Sequence, residues 1–177
     1  QLAFAQQRAQ SGGWDHQASF QLTDYRDVQG QYDHIVSVEM FEAVGERWWP
    51  TYFKTIRKLL KPGGKAVVQV ITINDAAFKK YKRGTDFIQR HVFPGGMLPS
   101  PGAFQQQATR AGLRIIDDHA FGLHYARTLG LWHEAFLERL IDVKAKGFDE
   151  RFVRLWRFYL SYCEAGFRAR SIDVHQY

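Results

Sequence analysis

The sequence predicts an α/β fold built on a doubly wound, mostly parallel sheet. Three observations carry that prediction. Residues 65–73 (KAVVQVITI) form an almost unbroken apolar run, as expected of a central parallel strand covered on both faces. Residues 50–60 place Tyr52, Phe53, Ile56, Leu59 and Leu60 at three- and four-residue spacing behind Trp49, the pattern of a helix with one buried face. Residues 34–38 (HIVSV) are rich in β-formers. Strand, helix and strand in that order imply a right-handed crossover.

The remaining elements follow from local chemistry. Residues 1–10 (QLAFAQQRAQ) are strong helix formers, stopped by Ser11-Gly12-Gly13. Residues 18–22 suit a short strand ending at Thr23-Asp24-Tyr25, and 26–32 are polar and loop-like. Pro50 fits the first turn of the 50–60 helix, and Pro62-Gly63-Gly64 ends that helix. Residues 74–100 mix charge, aromatics and turns. Within them Phe93-Pro94-Gly95-Gly96-Met97-Leu98-Pro99-Ser100 excludes regular structure and reads as an ordered loop or lid. A short helix is expected at 101–111 and a strand at 113–121. Two long amphipathic helices follow, one carrying Leu129, Trp132, Phe136 and Leu140, the other Phe152, Leu155, Trp156, Tyr159, Leu160 and Cys163. Residues 172–177 suit a final strand.

Composition narrows the function. A chain of 177 residues with 45% hydrophobic and 24% charged residues is an ordinary globular balance, long enough for one domain. Aromatic residues make up 15%, which serves either a core of large side chains or an apolar channel for a greasy ligand. The net charge of +6 suits anionic membranes or acidic small molecules, and Lys79, Lys80, Lys82 and Arg83 form its densest cluster. That cluster reads as a solvated face or as a seat for an anionic headgroup. No nucleic-acid module is recognisable. The one cysteine, Cys163, excludes an intrachain disulfide, suits a reducing compartment and falls on the apolar face of a helix. The seven histidines contain no His-x-x-x-His pair, so no metal site is expected. No apolar run approaches the roughly 20 residues that span a bilayer.

Open α/β sheets place ligands at the carboxyl ends of their strands. Here those ends are Thr23-Asp24-Tyr25, Glu39-Met40-Phe41-Glu42 and Ile71-Thr72-Ile73-Asn74. Gln69 interrupts the apolar run of its strand. A buried amide left without partners costs about 1–3 kcal/mol, so Gln69 must pair with a backbone group, a ligand or a catalytic carboxylate. Glu42 lies between Phe41 and Ala43-Val44, as a partly desolvated proton handler or as an acid at a helix N-terminus. Tyr125 stands between a strand and a helix, where it either bonds backbone or joins a site.

These residues also carry a family resemblance. Glu39-Met40-Phe41-Glu42-Ala43-Val44-Gly45, Leu60-Lys61-Pro62-Gly63-Gly64, the 93–100 loop, and Tyr125-Ala126-Arg127-Thr128-Leu129 followed by Trp132 together resemble the cyclopropane-fatty-acyl-phospholipid and mycolic acid cyclopropane synthases. The resemblance covers nearly the whole chain. It implies a Rossmann-like class I methyltransferase fold, with S-adenosyl-L-methionine (SAM) as cofactor and unsaturated phospholipid acyl chains as substrate. It further implies a cytoplasmic enzyme in peripheral contact with the membrane. The implied reaction is methyl transfer to a cis double bond, proton loss to a bound bicarbonate, and ring closure. Glu42 and Tyr125 match the residues that hold bicarbonate, Ile71 a backbone contact to it, and Gln69 a position at which many members have His. Gln1, Asp24, Tyr25 and Arg26 match the cofactor side.

The sequence also departs from the pattern. An amide at Gln69 cannot shuttle a proton, which opens the alternative of methylation without ring closure. No two of the 15 glycines are separated by a single residue, so the glycine-rich cofactor loop is absent. By the resemblance, the first strands of the sheet are expected to be missing with it. Residues 1–177 are therefore expected to be the C-terminal part of a methyltransferase domain. Taken alone, that part would be a fragment that covers its exposed sheet edge by homo-oligomerisation or an inactive lipid-binding piece.

Overall fold

A computed structural model describes residues 1–177, which divide into two compact units, Gln1–Gly30 and Gln31–Tyr177. In the first, helix α1 (Leu2–Gly12) ends where Gly13 turns left-handed at φ 71° and donates to the carbonyls of Ala9 and Gln10. A single 3-10 turn follows at Asp15–Gln17. The strand expected at 18–22 is absent. Those residues join no ladder, and a strand exists only through a partner's hydrogen bonds.

The second unit holds a four-stranded sheet, β1 (Tyr32–Val38), β2 (Leu60–Ile73), β3 (His119–Ala120) and β4 (Ile172–Gln176), in the order β1-β2-β4-β3. Strands β1 and β2 are parallel, joined by a crossover through α2 (Phe41–Val44) and α3 (Trp49–Leu59). Strand β4 runs antiparallel to both β2 and β3. The sheet is thus mixed but mostly parallel, as the sequence predicts: β1, β2 and β3 run one way and β4 alone runs against them. The 113–121 strand shrinks to His119–Ala120, the two residues that pair with β4.

Pro62-Gly63-Gly64 does not end α3. The helix stops at Leu59, Leu60 is already extended, and the Pro-Gly-Gly run lies inside β2. Register shifts there, from Tyr32 opposite Leu60 to His34 opposite Lys65. Gly64 is required at that irregularity. A Cβ on it would sit 2.8 Å from the Asp33 carbonyl oxygen and 3.0 Å from that of Lys61.

Beyond β2 come α4 (Asp75–Tyr81), α5 (Phe87–His91) and α6 (Pro101–Arg110), capped by Asn74, Asp86 and Ser100. The 93–100 stretch is irregular, as its prolines and glycines require. Helix α7 (Gly122–Glu138), the short α8 (Leu140–Ala145) and α9 (Glu150–Arg168) complete the chain before β4.

Two cores flank the sheet. On one side Phe41 meets Trp49, Tyr52, Phe53 and Phe104 with ring centroids 4.9 to 5.5 Å apart, mostly edge to face. On the other, Ala126 and Leu129 of α7 pack with Leu160 and Phe167 of α9 on Val174 of β4, and Ile71 of β2 joins them. Strand alternation explains the division. Val68, Val70 and Thr72 are buried together, so Gln69 and Ile71 point to the opposite face, toward α7 and α9.

Candidate active site

The carboxyl ends of β1 and β2 bring the predicted residues together around one they did not include, Glu39. Glu39 follows β1 directly, with a left-handed φ of 48°, and its N–H donates to the Gln69 carbonyl at 2.9 Å. A non-glycine residue held there costs on the order of 1–2 kcal/mol, and such strain concentrates at functional sites. The turn aims the Glu39 carboxylate across the end of β2. Tyr125 of α7 donates its hydroxyl to both carboxylate oxygens, at 2.8 and 3.0 Å. Gln69 donates its amide to Oε1 at 2.9 Å. Gln69 has therefore found a carboxylate, rather than a backbone group, and its own oxygen accepts from Gln176 of β4 at 2.8 Å.

Glu42 stands in the first turn of α2. Its Oε1 accepts from the Ile71 backbone N–H at 2.6 Å, and its Oε2 is buried without a partner. Burial raises its pKa from 4.5 to about 6, with the nearby Glu39 charge adding to the shift and the Ile71 hydrogen bond opposing it. Glu42 thus sits at a helix start and is also desolvated. The 93–100 loop closes over this residue. Met97 N–H donates to the Glu42 carbonyl at 2.8 Å, while Gln89 and Tyr81 bind the loop at Gly96 and Leu98.

Tyr125 is fixed from two directions. Asp173 of β4 accepts from the Gly122 N–H at 2.7 Å, which anchors the start of α7 to the sheet. The Phe167 ring lies 5.2 Å from that of Tyr125. Burial, and then the Glu39 carboxylate, push the Tyr125 phenol above its ordinary pKa, so it remains a donor at neutral pH. Tyr159 of α9 is raised to about 12, by burial first and by the charge of Glu39 among smaller causes. Cys163, one turn on, is raised to about 12 by burial, the behaviour of a packed thiol rather than a nucleophile.

The predicted cofactor residues lie in the Gln1–Gly30 unit. Asp24 accepts from the Arg26 backbone and guanidinium at 2.7 to 2.9 Å, and this pairing lowers its pKa to about 2. The guanidinium lies 5.9 Å from the Tyr25 ring. Gln1 precedes α1, its carbonyl accepting from Ala5.

Bicarbonate does not fit the residues present. The donors expected to hold it are engaged by the protein's own carboxylates, Tyr125 and Gln69 by Glu39, and the Ile71 N–H by Glu42. Two carboxylates at one site also oppose a further anion.

Comparison with known proteins places the chain in a family. The model of the mycolic acid cyclopropane synthetase family matches residues 1–177. A tuberculostearic acid methyltransferase of Mycobacterium tuberculosis is 45% identical over all of this chain and 42% of its own length. A cyclopropane-fatty-acyl-phospholipid synthase of Escherichia coli is 38% identical over 88% of this chain and 39% of its own length. The chain thus spans about two fifths of these relatives. A mycolic acid cyclopropane synthase solved with SAH and CTAB superposes with a TM-score of 0.84 at 26% identity, covering 99% of this chain and 64% of that one. With the site at the strand ends, a class I methyltransferase sheet and a family match over its whole length, the chain belongs to the mycolic acid cyclopropane synthetase family of SAM-dependent methyltransferases.

Proposed function

We propose that the protein containing this chain methylates the double bond of a lipid acyl chain, with Glu39 as the base that takes the departing proton. One observation carries the proposal. A carboxylate is already held by a phenol and an amide at the strand ends, where the site must accept a proton. SAM, when bound, supplies an electrophilic methyl group. Once the alkene has taken that methyl, the neighbouring acyl carbon is cationic and must lose a proton. Tyr125 and Gln69 orient the Glu39 carboxylate for that step, and Glu42 shapes the floor beside it. The rings of Tyr125, Tyr159 and Phe167 offer faces to the passing charge and keep out water that would trap it.

Which proton leaves decides the product. Loss from the new methyl, with closure onto the cation, gives a cyclopropane, and loss from the chain gives a branched alkene. The 45% identity to a tuberculostearic acid methyltransferase favours the branch. The 38% identity to a cyclopropane synthase supports the ring as the second reading. The aromatic turn with an ion-paired carboxylate at Asp24, Tyr25 and Arg26, together with Gln1, is assigned to the adenosine end of the cofactor. The basic surface is assigned to peripheral contact with an anionic membrane, and no helix is long and apolar enough to cross one.

The test uses the complete protein, methyl-labelled SAM and vesicles of unsaturated phospholipid. NMR of the recovered acyl chains separates ring protons from a branch. Glu39→Gln should slow turnover by about 10²–10⁴-fold, the range for loss of a general base. Absence of label in the lipid would sink the function, and wild-type rates in the variant would sink the role of Glu39.

A further inference from the structure

We infer that Gln176 is a positioning residue for this site, acting through the orientation of the Gln69 amide; the inference rests on the proposed role of Glu39. An amide side chain has a donor end and an acceptor end, and reversing it exchanges them. Gln69 must present its NH₂ to Glu39, because a carbonyl oxygen in that place would face a carboxylate. Nothing on β2 itself enforces the choice.

The enforcement comes from the next strand. Gln69 and Gln176 are direct partners in the β2–β4 ladder, so their side chains leave the sheet on the same face. Gln176 Nε2 donates to Gln69 Oε1 at 2.8 Å. With its oxygen occupied by that donor, Gln69 has only its NH₂ left for Glu39, at 2.9 Å. On the far side of β2, Val38 is the ladder partner of Gln69, and the chain then turns to bring Glu39 back. A polar relay therefore runs across the sheet from Gln176 to Gln69 to Glu39 and ends at the Tyr125 hydroxyl. Gln176 is exposed and touches none of the reacting groups, so its influence passes through one amide.

The experiment compares an acceptor with a donor at position 176 in the complete protein, with folding checked by thermal melts. Gln176→Glu offers Gln69 only acceptors. Two carboxylates then compete for the one NH₂ of Gln69, Glu39 loses its settled donor, and kcat falls about tenfold with KM for the acyl substrate unchanged. Gln176→Lys keeps a donor and holds kcat within about threefold of wild type. In a Gln69→Met background the same two substitutions become equivalent, because there is no amide left to orient. Equal effects of Glu and Lys in the wild-type background, or a Glu defect that persists in the Gln69→Met background, would overturn the inference. Wild-type protein that places no label in lipid would instead refute the proposed function, so the two failures are distinguishable.

Discussion

Glu42 makes a quantitative prediction about stability and pH. Its folded pKa of about 6 lies above the ordinary 4.5 because burial disfavours the charged form. Between those values the folded chain retains a proton that the unfolded chain has released. The folded state therefore loses stability as pH rises from about 4.5 to 6, and the loss stays constant above that. The direction is the reverse of that for a salt-bridged carboxylate. A difference of about 1.5 units corresponds to about 2 kcal/mol at 1.36 kcal/mol per unit. Glu42→Gln keeps an oxygen for the Ile71 N–H and cannot ionise, so it escapes this loss. The measurement is chemical denaturation of wild type and variant at a series of pH values from 4 to 8. The variant should gain about 2 kcal/mol on wild type between the ends of the series, with the change centred between pH 4.5 and 6. Parallel profiles, or a gain in the opposite direction, would refute the burial argument.

Three further outcomes follow from the packing. Phe41→Ala removes the ring on which four other aromatics converge and should cost about 3–5 kcal/mol, read from denaturant midpoints. Gly122→Ala would place a Cβ 2.4 Å from Asp173 Oδ1 and break the anchor of α7. It should lower stability by about 1–3 kcal/mol and also reduce turnover, since Tyr125 rides on that helix. Asp33→Asn weakens an exposed ion pair with Lys61 and should leave the denaturant midpoint indistinguishable from wild type.

The parts of the fold that can be read from sequence are those with local causes. Helix α3 is legible in its spacing and Pro50, the core of β2 in its apolar run, and the 93–100 loop in its prolines and glycines. Residues 18–22 and 113–118 have strand-like composition but no neighbour in the structure to pair with, and pairing is a non-local fact. The direction of β4 is equally invisible in a five-residue segment. In the site, resemblance identifies Glu42, Gln69, Ile71 and Tyr125, and burial logic alone requires a partner for Gln69. Glu39 is named there only as one residue of a strand end, and its role as that partner escapes sequence reading because it depends on a left-handed backbone turn that its side chain gives no reason to expect. Its position at the end of a strand is the available signal. Gln176 offers none, since its relation to Gln69 is a matter of register.

The relay across the sheet also has a consequence for how the protein reaches its working form. Tyr125 and Glu39 are separated by 86 positions in the chain, and Gln176 and Gln69 by 107. Contacts of such span close large loops, and they form slowly compared with the turns and helices around them. On refolding, helical signal should therefore return before the catalytic geometry does. A chain stopped at that stage would hold its helices while Glu39, Gln69 and Tyr125 remained strangers to one another.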